Sequence, residues 1–136
     1  MDFTTKELIK GYLQKADTKL EVAKRLFKSG DYDDSISRAY YAVFHATQAL
    51  LLTEGQRGVT HKGALTLFGL LFVKTGKFNK NLGRYLANLK DDRESGDYEI
   101  FSYIDKETAS TGIDEAKEFI DEAKSYLKKL GALDDE

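Results

Sequence analysis

The chain has 136 residues, 41% of them hydrophobic and 32% charged, the length and balance of one folded globular domain rather than a disordered segment. Its formal net charge is −2; it has two histidines and no cysteine, which excludes disulfides, thiol catalysis, cysteine-ligated metal sites and a three-histidine metal site within one chain. No apolar run approaches the roughly 18 residues that cross a membrane, and the N-terminal MDFTTKELIK has no apolar signal core; with the lack of cysteine, this leads us to expect a cytoplasmic protein.

Proline, the strongest helix breaker, is absent, so glycines carry the punctuation. The first helix is predicted from about Thr5 to Lys28. Its apolar stripe is Ile9, Tyr12, Leu13, Ala16, Leu20, Ala23, Leu26 and Phe27, and Gly30 is its C-terminal cap. Asp31, Asp33 and Asp34 favour the start of a second helix, by capping and by the helix dipole, which runs from about Tyr32 to Thr53 and stops near Gly55. The loop Gly55-Gln56-Arg57-Gly58 lacks the GxxxxGK[ST] pattern of a phosphate loop. Thr60 caps a third helix reaching Lys74 and ending at Gly76. Asn79 or Asn81 opens a fourth, with Leu82, Tyr85, Leu86 and Leu89 on one face, ending near Gly96. Asp97 to Ile104, with Tyr98, Ile100, Phe101 and Tyr103, reads as an irregular stretch. Asp105 or Thr108 starts a last helix with Ile113, Ala116, Phe119, Ile120, Ala123, Leu127 and Leu130 inward and Gly131 as its cap. Ala132 to Glu136 are expected to fray. No segment alternates with period two for long enough to make a strand. The fold class expected is an all-α bundle of about five helices, with residues 1–136 as one domain.

Charge is distributed unevenly. Residues 57–90 carry seven basic side chains and no acid, whereas residues 91–136 carry six basic and fifteen acidic ones. Such a division either marks an anionic partner for the basic region or is neutralised within the fold.

The second helix differs from the rest. Its run SISRAYYAVFHATQALLL has almost no polar face beyond the first turn, the pattern of a helix buried on several sides. Arg38, His45 and Gln48 interrupt it. An arginine cannot shed its charge, so Arg38 either pairs with a carboxylate such as Asp34 or Asp97, or lines a cleft open to water and ligand. Seven residues return to within roughly 20° of the same direction, so Arg38 and His45 share a face with Cα atoms about 10 Å apart, and Tyr41 lies between them. Ala42, Ala46 and Ala49 let another helix approach closely, which suits a dimer interface.

The run Ser37-Arg38-Ala39-Tyr40-Tyr41-Ala42-Val43-Phe44-His45-Ala46 resembles the signature helix of HEPN (higher eukaryotes and prokaryotes nucleotide-binding) domains, most closely the small single-domain prokaryotic branch. The likeness continues through Thr60-His61-Lys62-Gly63, Leu67-Phe68, Phe72-Val73-Lys74-Thr75-Gly76 and Arg93 with Asp97-Tyr98. It implies a helical bundle that forms a homodimer, often partnered with a small nucleotidyltransferase as a toxin–antitoxin pair. In catalytic members of the family an arginine, four to six residues and a histidine form a metal-independent ribonuclease site, which maps onto Arg38 and His45. Two positions depart from the pattern. The residue after the arginine, often polar in catalytic members, is Ala39. The tyrosine that accepts adenylate groups in some members is replaced by Thr47.

The side-chain chemistry agrees with that implication. A histidine moves protons near neutral pH, and an arginine offers paired donors to phosphate oxygens. A separation of about 10 Å is long for one phosphate, but an antiparallel two-fold pairing of these helices brings Arg38 of one chain to His45 of the other. Weaker candidates for RNA contact are Tyr41, Arg93, His61 and Lys74, with Lys77, Lys80 and Lys90 as further phosphate partners. Each has a plain structural reading: core packing for Tyr41, an ion pair with Asp97 for Arg93, capping or packing for His61, solvated surface for the lysines. No catalytic metal or cofactor is expected. The competing functional reading is a non-catalytic nucleotide-binding or adaptor module that partners a nucleotidyltransferase.

Overall fold

A computed structural model of the chain describes residues 1–101 and 104–134. It contains five α-helices: α1 (Phe3–Lys28), α2 (Tyr32–Leu52), α3 (His61–Phe68), α4 (Lys80–Tyr98) and α5 (Lys106–Lys129). They pack round one apolar core, and α2 is the hub, in contact with each of the other four.

The helix ends follow local chemistry. Asp2, not a residue near Thr5, caps α1, its Oδ1 accepting from the Thr5 N–H at 2.7 Å. Gly30, at φ 82°, closes α1: the Gly30 N–H donates to Phe27 O at 3.1 Å and the Asp31 N–H to Leu26 O at 2.9 Å, a pair of bonds that needs a left-handed residue. Asp31 precedes α2 without capping it; its carboxylate accepts from the Ser29 hydroxyl instead. Asp33 and Asp34 occupy the first turn of α2, where the dipole favours them. Thr60, Asn79 and Asp105 cap α3, α4 and α5, each accepting from a backbone N–H of the first turn.

Three boundaries differ from expectation. The third helix is α-helical only to Phe68 and continues as a π-helical turn, Gly69–Val73, with the Lys74 N–H donating to Gly69 O at 2.8 Å. The fourth does not stop at Gly96. Gly96 lies within α4 and does not end the helix; a Cβ there would meet Asp33 Cβ of α2 at an ordinary contact distance of 3.4 Å. Asp97 and Tyr98 therefore complete α4. Ser102 and Tyr103 of the stretch expected to be irregular lie outside the described residues, as do Asp135 and Glu136. Ala132 does not fray: it is 2% exposed, and its N–H donates to Leu127 O at 2.9 Å.

The small residues of α2 also sit differently. Ala39, Ala42, Ala46 and Ala49 are all fully buried within this one chain. They admit the neighbouring helices of the same bundle, so they supply no argument for a dimer. Gln48, a polar interruption of the apolar run, is buried and satisfied: its Nε2 donates to Gly58 O at 2.8 Å and its Oε1 accepts from the Gly58 N–H at 3.0 Å. This clamp fixes the loop that delivers His61 to the start of α3. The two charge blocks meet in part, since Lys90 pairs with Glu94 at 2.6 Å and the Tyr85 hydroxyl reaches Glu118 on α5. Lys62, Lys74 and Lys80 stay exposed.

A Cβ on Gly58 would lie 2.5 Å from Ala64 Cβ and 2.8 Å from Ala64 Cα, so the α3 backbone itself must give way. Gly58→Ala is expected to destabilise the fold by about 1–3 kcal/mol. Gln48→Leu, which leaves both Gly58 groups unpaired, is expected to cost a similar amount, about 1–3 kcal/mol. Urea unfolding midpoints of the two variants check both, and unchanged midpoints would remove the clamp.

Candidate functional site

Although four helices pack on α2, one stripe of it remains open. Arg38, Tyr41 and His45 are only partly buried and Asp34 is exposed, whereas Ser37, Ala39, Tyr40, Ala42 and Val43 are buried. The spacing of four, three and four places the open residues in one row along the helix. The neighbours of α2 thus cover every direction but one, and the candidate catalytic residues occupy the uncovered one.

Arg38 is not held by the acids that sequence reasoning offered. Its guanidinium lies over the Tyr41 ring, 5.6 Å from the centroid. Asp97 is engaged by Arg93, whose Nη1 is 3.6 Å from Asp97 Oδ2, and by the Ser37 hydroxyl at 3.4 Å. Among the described residues no acid is paired with Arg38, and the tyrosine ring beside it helps to hold the guanidinium in place.

His45 faces α1. Its ring stacks on Tyr12, with centroids 6.3 Å apart and planes 25° from parallel, and Phe44 meets it edge-on at 6.0 Å. Its Nδ1 is buried with no hydrogen-bond partner among the described residues. Burial, with Lys15 and Lys19 adding like charge, pushes the imidazole down to about 4. At neutral pH His45 is therefore uncharged and able to accept a proton.

Of the weaker candidates, three come together and one does not. Tyr41, His61 and Arg93 meet at the corner of α2, α3 and α4. The Arg93 guanidinium lies 5.3, 5.5 and 5.7 Å from the ring centres of Tyr40, Tyr41 and Tyr98. His61 Nδ1 shares a 2.8 Å hydrogen bond with the Tyr40 hydroxyl, and its ring packs on Phe44 at 4.6 Å. Burial, then Arg93 and Lys90, lowers the His61 pKa. Arg93 is only 6% exposed and pairs with Asp97, and His61 is half-buried against Tyr40 and Phe44. Lys74 is exposed at the far end of the third helical element, roughly 18 Å of helix from His61, and does not join the site. A groove of about 420 Å³ lies between α4 and α5, lined by acids such as Asp91, Asp92 and Glu115, and not by the α2 stripe. Among the described residues no group of three His, Cys, Asp or Glu side chains is placed to hold a metal ion, and no helix is long and apolar enough to cross a membrane.

Tyr12, Lys15 and Lys19 escaped sequence reasoning. Tyr12 reads as one more core position of its stripe, and nothing in the sequence aligns α1 against α2. A histidine lowered by burial titrates below its unfolded value, so fold stability is lost as pH falls from about 6.5 toward 4. NMR titration is expected to give His45 an apparent pKa far below 6.5, and Lys15→Ala with Lys19→Ala is expected to raise it. A value near 6.5 in the wild type would contradict the burial described.

A family model described as the HEPN domain matches residues 9–126. A Methanocaldococcus jannaschii protein named "Putative toxin MJ0605" is 36% identical over 125 residues, covering 92% of each chain. A second similarly named protein of that archaeon is 32% identical over 127 residues, covering 93% of this chain and 86% of its own, and a Thermotoga maritima protein is 33% identical over 124 residues, covering 91% and 94%. The crystal structure of TT1696 from Thermus thermophilus superposes with a TM-score of 0.74 at 19% identity over 88% of this chain and 98% of that one, a likeness of fold. With the Arg38–His45 pair on the open row of α2 and the family match spanning nearly the whole bundle, the chain belongs to the HEPN domain family and has toxin-like relatives.

Proposed function

We propose that this protein is a metal-independent endoribonuclease, the toxin-like half of a two-component pair whose other half is a small nucleotidyltransferase. The observation that carries the reading is the open row of α2. Arg38 and His45 share it, and neither is consumed by an ion pair within the core.

The ribose 2′-hydroxyl is the nearest nucleophile on an RNA phosphate, and its attack gains from proximity. Neutral His45 takes the 2′-hydroxyl proton as the O2′–P bond forms. The P–O5′ bond breaks, and the 5′-oxygen takes up a proton from the imidazolium of His45 or from water, giving a 2′,3′-cyclic phosphate and a 5′-hydroxyl. Arg38 binds the phosphoryl oxygens as their charge grows. Because the two groups stand about 10 Å apart on one helix, the site is composite. Two copies pair their open α2 rows antiparallel about a two-fold axis, and Arg38 of one serves the phosphate at His45 of the other.

Purified protein is expected to run at about twice 15.4 kDa and to cleave RNA in EDTA, but not RNA with 2′-O-methyl groups at the cut position, and not DNA. Arg38→Ala and His45→Ala are each expected to lower kcat at least about a hundredfold and to leave the dimer folded. Mixing the two inactive variants is expected to restore part of the activity through heterodimers that carry one intact pair. Because His45 is neutral down to about pH 4, kcat/KM is expected to hold down to about pH 5 before its acidic limb falls. Nucleotide binding without any RNA cleavage would favour the adaptor reading, for which Ala39, buried where catalytic relatives are often polar, is the motivating observation.

A further inference from the structure

The α1–α2 hairpin is antiparallel, and two contacts fix its register. The Ser35 hydroxyl donates to Ala23 O at 2.8 Å, and Tyr12 stacks on His45 at 6.3 Å. In an antiparallel pair the sum of facing residue numbers stays nearly constant, and these two contacts agree to within one residue. The same register brings Lys15 level with Ala42 and Val43, and Lys19 level with Arg38 and Ala39. Tyr12, Lys15 and Lys19 are spaced three and four apart, so they share one face of α1. A row of Lys19, Lys15 and Tyr12 thus runs beside the row of Arg38, Tyr41 and His45.

Other ion pairs leave this α1 face alone. Asp17 is engaged by Lys124 at 2.7 Å, and Glu21 by Lys24 at 3.4 Å. Lys15 is exposed and Lys19 half-buried. The acids nearest the α2 row, Asp34 and Asp97, stand at its Arg38 end, and Asp97 is held by Arg93 and Ser37. The two rows therefore carry three cations and three flat rings along about 10 Å of helix. Cations along a track with interleaved rings are the recurring means of holding a single nucleic-acid strand, the charges on its phosphates and the rings against its bases.

We propose that Tyr12, Lys15 and Lys19 of α1 form a subsite for single-stranded RNA alongside the reacting phosphate, the lysines holding flanking phosphates and Tyr12 presenting its ring to a base beside His45. This rests on the ribonuclease reading of the α2 row and adds to it a substrate track that neither the Arg–His spacing nor the basic segment 57–90 identifies. Lys15 and Lys19 are positioning residues here; they touch the strand and not the reacting atoms.

The test uses the full-length protein and a fully 2′-O-methylated single-stranded RNA oligonucleotide, which binds without being cut. Binding is followed by fluorescence anisotropy over a salt series. Each phosphate contact to a single strand contributes about 0.7 to the slope of log K against log salt. Lys15→Ala with Lys19→Ala is expected to lower that slope by about 1.4 and to weaken binding roughly 10- to 30-fold at 0.1 M salt, while Lys15→Arg with Lys19→Arg keeps the wild-type slope. Tyr12→Leu is expected to weaken binding at every salt concentration with the slope unchanged. An unchanged slope and affinity in the double alanine variant overturns the subsite, as does a wild-type protein that binds no oligonucleotide. Loss of the dimer mass in that variant also overturns it, since the lysines would then hold a protein contact. The parent reading is scored separately on unmodified RNA: a wild type that binds with the predicted slopes but cuts nothing refutes the nuclease and leaves the subsite standing. Cleavage by a wild type whose slope the lysines do not affect does the reverse.

Discussion

One helix is the centre of this bundle and still leaves one of its rows open. α2 is in contact with all four other helices, and its inward positions are alanines, a valine and leucines with almost no exposure. Close packing of that kind holds side chains in single rotamers. The open row of Arg38, Tyr41 and His45 is thereby mounted on the most rigid element available, and the polar groups avoid the cost of full burial because the row reaches solvent. Opening a second row would remove a packing partner from the hub.

Two different environments flank the row. Toward α4, the charge of Arg93 is spread among three tyrosine rings and a single carboxylate, with its Nε left unpartnered. That corner braces Tyr41, which in turn underlies Arg38. Toward α1, His45 meets an aromatic ring and two lysines. The first environment stabilises cations on ring faces; the second disfavours one by desolvation and like charge. A permanently charged arginine and a neutral histidine can therefore sit two turns apart on one helix at the same pH, which is the division of labour that acid–base chemistry on a phosphate requires.

Loop chemistry supports the same row from behind. The Gln48–Gly58 clamp pins the turn ahead of α3, and the close contact of Gly58 with Ala64 leaves no slack. His61 is thereby delivered to Tyr40 and Phe44, on the buried side of α2. The π-helical turn at Gly69–Val73 and the reversal at Gly76 bring Phe68, Phe72 and Phe78 into one cluster with Tyr126 of α5, which ties the short third element to the bundle.

Much of this was legible in the chain itself. Apolar residues at helical spacing, and glycines at the turns, define five helices because these signals act over a few residues and need no neighbour. The Arg38–His45 spacing is equally local, since seven residues return to one face in any α-helix. What only the tertiary structure decided concerns pairs far apart in sequence. Asp97 goes to Arg93 and not Arg38 because α4 runs on past Gly96 and sets the two four residues apart on one helix. The alanines of α2 face the chain's own helices, because the hub is packed from within. The placing of Tyr12, Lys15 and Lys19 beside His45 follows from the register of two packed helices. A hydrophobic pattern states which face of a helix is buried, but how far one helix slides along another is settled by how the side chains interlock.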